Sequence, residues 1–318
     1  MIINFGYVAI SMELKDCSPN RTATLKGLKK LDRSQWEKKL YAVSSENLSN
    51  TIRILRYNKA YGIKLYRFTS KLVPLCTHEE LKDWKWQEQL ADDFKRVGEC
   101  VRETSIRVST HPDHFTLLNS PRKEVIESSI KDLDYHCTMY ELMGLGREYK
   151  MVLHIGGVYG SKRDSVKRFC ENFSRLEDRI KERIILENDD KLYNAEEVLG
   201  ICRAVGVPMV LDIHHDRCNP SKYIISELIE DIFDTWRGEA YPPKVHLSSP
   251  KSGTDQRSHH DYIDPLYFVR FLQDIKPKVG DFDVMVEAKM KDKAMFKLMD
   301  DLKSFPEITL CGDASIYL

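Results

Sequence analysis

Short apolar runs recur along the chain, each closing on polar or ionisable residues and each followed by a longer stretch of helical spacing. IINFGYV (2–8), IKLYRFT (63–69), IRVSTHP (106–112), KMVLHIGG (150–157), RIILEND (183–189), VPMVLDIHH (207–215), PPKVHLSS (242–249) and DFDVMVEAK (281–289) read as strands, since apolar runs of this length suit buried sheet positions. Between them the pattern predicts helices. Ser34 and Glu37 have the spacing of a capping box that opens a long helix, which Gly62 ends. Further helices are expected over 87–103, over 123–143, from about 164, over 192–206 with Gly206 as the stop, and over 221–236, 265–275 and 292–303. The tail CGDASIYL (311–318) carries no assignable pattern.

Strand–helix alternation of this kind implies a parallel sheet with right-handed crossovers. No linker or low-complexity tract divides the 318 residues, so the expectation is one domain over 1–318, an α/β fold closed into a single (β/α)₈ TIM barrel. An open doubly wound sheet would want a Gly-rich phosphate turn after the first strand, where GYVAIS stands instead. In a barrel the active site lies at the C-terminal ends of the strands.

Those ends carry unusual residues. A buried strand has no use for a carboxylate or an imidazole at its tip unless something there binds it. Yet His111, His154, Glu187, Asp212, His215, His246 and Glu287 occupy such tips, and His78 and His259 fall in exit loops. Of the ten histidines, His136 in mid-helix and His260 beside His259 read as ordinary, while most of the rest gather at strand exits. Imidazoles mixed with carboxylates, without thiolates, suit Mn²⁺, Zn²⁺ or Fe²⁺. The nine donors exceed what one ion needs, so two or three divalent ions bridged by a carboxylate are expected, Mn²⁺ first, with Zn²⁺ or Mg²⁺ as alternatives. Side-chain alternation puts Lys244 on the same face as His246.

Charge narrows the substrate. Lys and Arg number 49 and Asp and Glu 49, so no net field attracts a polyanion and any such partner must be held by a local patch. Arg21, Arg67, Lys71, Lys162, Lys251, Arg257, Lys289 and Lys291 lie in or beside the exit loops and form a basic rim. Metal ions ringed by cations suit phosphodiester hydrolysis in an anionic polymer; the same ions with an aldose bound would serve an isomerase. Eight cysteines without a CxxC pair read as reduced thiols. With no basic leader and no apolar run long enough for a bilayer, the expected compartment is the cytosol, without membrane association.

GYV, SPNRT, LYRFTSKLVPLCTH, HPDHF, LHIGGVYGSK, LENDD, LDIHH, PKVHLSSPKSG, RSHHDYID and MVEAKMKDKA, in that order, closely resemble the UV damage endonuclease family, and the likeness covers nearly the whole chain. The resemblance implies a xylose-isomerase-like barrel related to endonuclease IV, a monomer acting on damaged double-stranded DNA in the cytoplasm, at the nucleoid of a bacterium. It implies a metal-dependent cut immediately 5′ of a cyclobutane dimer or 6-4 photoproduct, leaving a 3′-hydroxyl. Carried over by position, His111, His154 and a bridging Glu187 would hold one ion, Asp212, His246 and Glu287 a second, and His215 and His259 a third. Glu187, His78 and Lys244 would be catalytic, the lysine able to carry a carboxyl group. Tyr7, His114 and Phe115 would probe the duplex, with His114 standing where the family commonly has glutamine, and Arg21, Arg67, Lys162, Lys251 and Lys289 would hold the backbone. A pure abasic-site endonuclease and a catalytically weak damage-binding module are the alternatives.

Overall fold

Eight short apolar segments pair in one cyclic order in the computed structural model, which describes residues 1–318. They are β1 (Ile2–Val8), β2 (Leu65–Arg67), β3 (Arg107–Ser109), β4 (Met151–His154), β5 (Ile184–Glu187), β6 (Met209–Asp212), β7 (Lys244–Leu247) and β8 (Phe282–Val286). The ladders run parallel from β3 through β2, β1, β8, β7, β6 and β5 to β4. Closure comes from a parallel bridge between Thr110 and Met151, with Thr110 N–H donating to the Lys150 carbonyl at 3.1 Å and Val152 N–H to the Thr110 carbonyl at 3.0 Å. The expected (β/α)₈ barrel is therefore the fold.

Alternation sorts the strand residues into two layers. Ile3, Phe5 and Tyr7 face the helices: the Phe5 ring meets Phe268 edge-on at 5.7 Å, and Tyr7 meets Tyr66 at 5.6 Å. Their alternates face the barrel axis, where Val152, Ile185 and Val210 pack with Trp236, and Val8 and Leu65 with Met285. Gly6 belongs to this inner set. A Cβ there would stand 2.1 Å from the Leu65 carbonyl oxygen, so only glycine lets β1 and β2 approach so closely.

The outer layer comprises α1 (Leu25–Leu28), α2 (Trp36–Ala60), α3 (Trp86–Gln89), α4 (Ala91–Thr104), α5 (Lys123–Leu142), α6 (Lys162–Ser174), α7 (Asp178–Lys181), α8 (Ala195–Val205), α9 (Ile213–Cys218), α10 (Ile225–Asp234), α11 (Pro265–Ile275) and α12 (Lys291–Leu302). The box expected at Ser34 does not form: residues 33–35 make a 3₁₀ turn and α2 starts from Gln35 without a side-chain cap. The helix expected over 87–103 is broken at Leu90 into α3 and α4. The strand expected over 207–215 stops at Asp212, whose side chain accepts the His215 N–H at 2.7 Å and so caps α9. His215 thus enters the site from a helix. The tail forms β9 (Thr309–Leu310) and β10 (Ser315–Tyr317), and β10 lies antiparallel against Ile2–Asn4, the part of β1 that β2 does not reach.

Candidate active site

The C-terminal strand tips converge as expected. Donor atoms within 4.8 Å of one another form three groups: His111, His154 and Glu187; Glu187, Asp212 and His215; Glu187, His246 and Glu287. Glu187 belongs to all three, because β5 ends between the β4 and β6 tips and its carboxylate reaches across the axis. His111 Nε2 lies 3.2 Å from Glu187 Oε2, His154 Nε2 3.5 Å from the same oxygen, and His246 Nδ1 2.8 Å from Oε1. His246 Nδ1 is also 3.1 Å from Glu287 Oε1. The grouping departs from the expected one at Asp212, whose carboxylate gathers with His215 instead of with His246 and Glu287.

Several rings are fixed by backbone carbonyls. His111 Nδ1 lies 3.0 Å from the Pro112 oxygen, His215 Nδ1 2.9 Å from that of Asn188, and His259 Nδ1 2.7 Å from that of Glu287. Donation to a carbonyl sets the tautomer and leaves Nε2 of each ring with a free lone pair, while His215 Nδ1 also lies 3.6 Å from Glu187 Oε1 and 3.7 Å from Asp212 Oδ2. His259 falls outside the three donor groups yet borders them, its ring centroid 6.3 Å from that of His215.

Electrostatics show how demanding the arrangement is. Burial works against the Glu187 charge, but the His246 and His154 imidazoles, with hydrogen bonds from His111 and His246, hold its carboxyl well below the usual range. Glu287 is likewise lowered against its burial, chiefly by Arg67, whose Nη1 stands 2.6 Å from Oε1 without pointing along a hydrogen-bond direction. Asp212 has no arginine beside it, and burial lifts its carboxyl above the usual range although the His215 imidazole opposes the shift. Lys244 is held well below its ordinary value by burial and by Arg107 and Arg67. Asp212 Oδ2, His154 Nδ1 and His246 Nε2 are buried without partners. Buried polar atoms are normally paired. Three carboxylates sharing one arginine, amid imidazoles with free nitrogens, fit divalent cations of the Mn²⁺, Zn²⁺ or Fe²⁺ kind.

The remaining expected residues are placed as follows. Phe115 is 73% exposed with the His114 ring 4.0 Å from its own, at the tip of the loop after β3. Lys251 and Lys289 are exposed; Arg21 pairs with Glu46, Lys162 with Glu197 and Lys251 with Asp255. Two expectations need correction. Tyr7 offers nothing to a duplex, since it points into the helix layer, fully buried, its hydroxyl donating to Asn58 Oδ1 at 2.8 Å. Arg67 is no rim residue but an interior cation on Glu287. His78 caps a 3₁₀ turn, its Nδ1 accepting from Glu80 N–H at 3.1 Å, and lines a cavity of about 590 Å³ with Ser70, Lys71 and Asp113, outside the three donor groups. Asn188 was not singled out by sequence reasoning, because amides recur in loops; its place directly after the bridging glutamate was the available signal.

A family model described as UV-endonuclease UvdE matches residues 3–317. The chain is 40% identical over 316 residues to the UV DNA damage endonuclease of Bacillus cereus (strain G9842), covering 99% of each. Among solved structures it is similar to that of SacUVDE, with TM-score 0.84, 30% identity and coverage of 95% of this chain and 98% of the other. Endonuclease IV from Thermus thermophilus shares the fold at TM-score 0.52 and 15% identity, over 95% of this chain and 99% of its own.

Proposed function

The chain belongs to the UvdE family of UV endonucleases, DNA repair nucleases for UV damage, and from that premise we propose that it hydrolyses the phosphodiester immediately 5′ of a cyclobutane dimer or 6-4 photoproduct, leaving a 3′-hydroxyl. The observation that carries this reading is Glu187, one buried carboxylate common to three donor groups at the barrel mouth. Two or three divalent cations held there, Mn²⁺ foremost, would act as Lewis acids, lowering the pKa of water towards ~7 and clamping phosphate oxygens. His111, His154, Glu187, Asp212, His215, His246, His259 and Glu287 would hold them.

The other residues have work that follows from their places. Arg67 fixes Glu287 and offsets part of the buried negative charge. Lys244, deep on the axis below His246, stays there in a neutral or carboxylated form, because an ammonium in that position would face Arg107 and Arg67 without an ion pair of its own. His78, in the cavity beside the mouth, orients the substrate. Phe115, with His114 against it, enters the stack where the photodimer has weakened pairing; a damaged step costs less to open than a sound one. Lys162, Lys251, Lys289 and Arg21 contact phosphates of the duplex.

The test is an end-labelled duplex carrying one defined photodimer, incubated with chelated protein before and after Mn²⁺ is restored. A single 5′ nick that returns with the metal is the expected result. Cleavage of an abasic duplex with an intact photodimer duplex would instead assign the chain the endonuclease IV reaction, and metal-independent nicking would overturn the role given to the donor groups.

A further inference from the structure

Asn188 stands one residue beyond Glu187 and is fully buried. The β5–β6 ladder ends with Glu187 opposite Val210. Past that point the pairing continues through a side chain: Asn188 Oδ1 accepts the Asp212 N–H at 2.8 Å and Nδ2 donates to the Asp212 carbonyl at 3.0 Å. The amide thus copies a peptide group and extends the sheet by one rung, while the main chain is free to turn away. That turn aims the Asn188 carbonyl at His215, whose Nδ1 donates to it at 2.9 Å. Asp212 is held from two directions, because its Oδ1 is also committed to the His215 N–H, leaving Oδ2 as the unpartnered atom in the bowl.

One side chain therefore ties three ligand-bearing positions together. It joins Glu187 by sequence, Asp212 by a two-point amide pair, and His215 through the carbonyl beside it. The two-point amide pair involves no carboxylate or imidazole atom that would face an ion. We propose that Asn188 is a positioning residue that keeps the Asp212–His215 half of the site in register with the bridging Glu187, so that one ion of the cluster depends on it while the His111–His154 half does not. The inference rests on the metal-dependent reading above.

The experiment compares wild type, Asn188→Ala and Asn188→Asp, each stripped of metal and titrated with Mn²⁺, with binding followed by calorimetry and by the Mn²⁺ spin-resonance signal. Asn188→Ala removes both bonds. Asn188→Asp keeps the size and the acceptor for the Asp212 N–H but sets a carboxylate oxygen against the Asp212 carbonyl. Both variants should still fold when metal-free, with a lowered melting temperature, because each leaves buried polar groups of the Asp212 peptide unpaired at one edge of a large core. One ion per chain should then bind roughly 10–100-fold more weakly, the usual consequence of losing a ligand's supporting hydrogen bond. The remaining ions should keep wild-type affinity, and the signal of coupled ions should give way to that of isolated ones. Wild-type affinity for every ion in a folded variant would overturn the proposal, as would collapse of both metal-free variants, which would make Asn188 a scaffold residue. Failure of the wild type itself to bind Mn²⁺ would instead remove the metal reading.

Discussion

The two ends of the barrel bury charge in opposite ways. At the floor, opposite the mouth, Arg107 Nη1 lies 2.6 Å from Asp283 Oδ2 and donates to the Pro242 carbonyl at 2.9 Å, with the Trp236 and Tyr241 rings 5.1 and 5.0 Å from its guanidinium. Asn4 Nδ2 completes the Asp283 carboxylate at 3.0 Å, and Lys150 is matched by Glu239 at 2.8 Å. At the mouth, three carboxylates share one arginine and several buried atoms have no partner. Both ends hold comparable charge in comparable isolation from water, yet only one is internally satisfied. A buried polar cluster that closes on itself is scaffold; one that stays open is waiting for something from outside.

The largest effect that would break this contrast lies at the mouth. Glu187→Gln should reduce nicking by on the order of 10³-fold or more, as removal of a single essential group commonly does. The metal-free protein should still fold, because glutamine keeps the shape of the side chain and an oxygen that can accept from the surrounding imidazoles. A drop in stability with activity retained would put Glu187 in the same class as the floor residues. Arg107→Met makes the converse test. Leaving Asp283 buried and uncompensated should cost about 3–5 kcal/mol in denaturant unfolding, with Mn²⁺ binding retained in the molecules that stay folded.

A smaller effect sharpens the rule at a third place. His136 on α5 is fully buried with both ring nitrogens unpartnered, and burial lowers its pKa to about 4. The folded value lies below the unfolded value of about 6.5, so the unfolded chain binds the extra proton first and stability falls as pH drops from ~6.5 towards ~4. The loss from this residue should approach roughly 3 kcal/mol by the bottom of that window. His136→Leu should flatten that part of the acid limb and leave nicking at neutral pH as it was. A variant that lost activity at neutral pH would show that an unpartnered imidazole reports function even away from the strand tips.

The same contrast explains what could be read from the chain. The mouth was legible because its donor residues follow apolar runs one strand at a time, and a carboxylate or imidazole in that place is rare enough to be noticed singly. The floor was not. Arg107 and Asp283 sit at the starts of their strands, 176 residues apart, and nothing local says that one answers the other. Tyr7 was misread for a related reason: alternation gives two faces, and only the ring's contact with α2 decides which one it takes. The expected strand through His215 hid a switch to helix, because the apolar run does not break where Asp212 turns from strand residue into cap. Arg67, counted by its charge among the rim cations, lies inside because strand alternation gives it the same face as Leu65, which points to the barrel axis.

The single bridge from Thr110 to Met151 gives the cylinder a lopsided mechanics. Every other junction is a ladder of more than one rung, so β4 to β8 and β1 form a stiff shell carrying most of the donors, while the sheet is thinnest between β3 and β4. The loop bearing His114 and Phe115 leaves from that thin place. The arm proposed to probe the duplex is thus joined to the wall at its thinnest place, where yielding to a distorted helix would not drag the rest of the frame along.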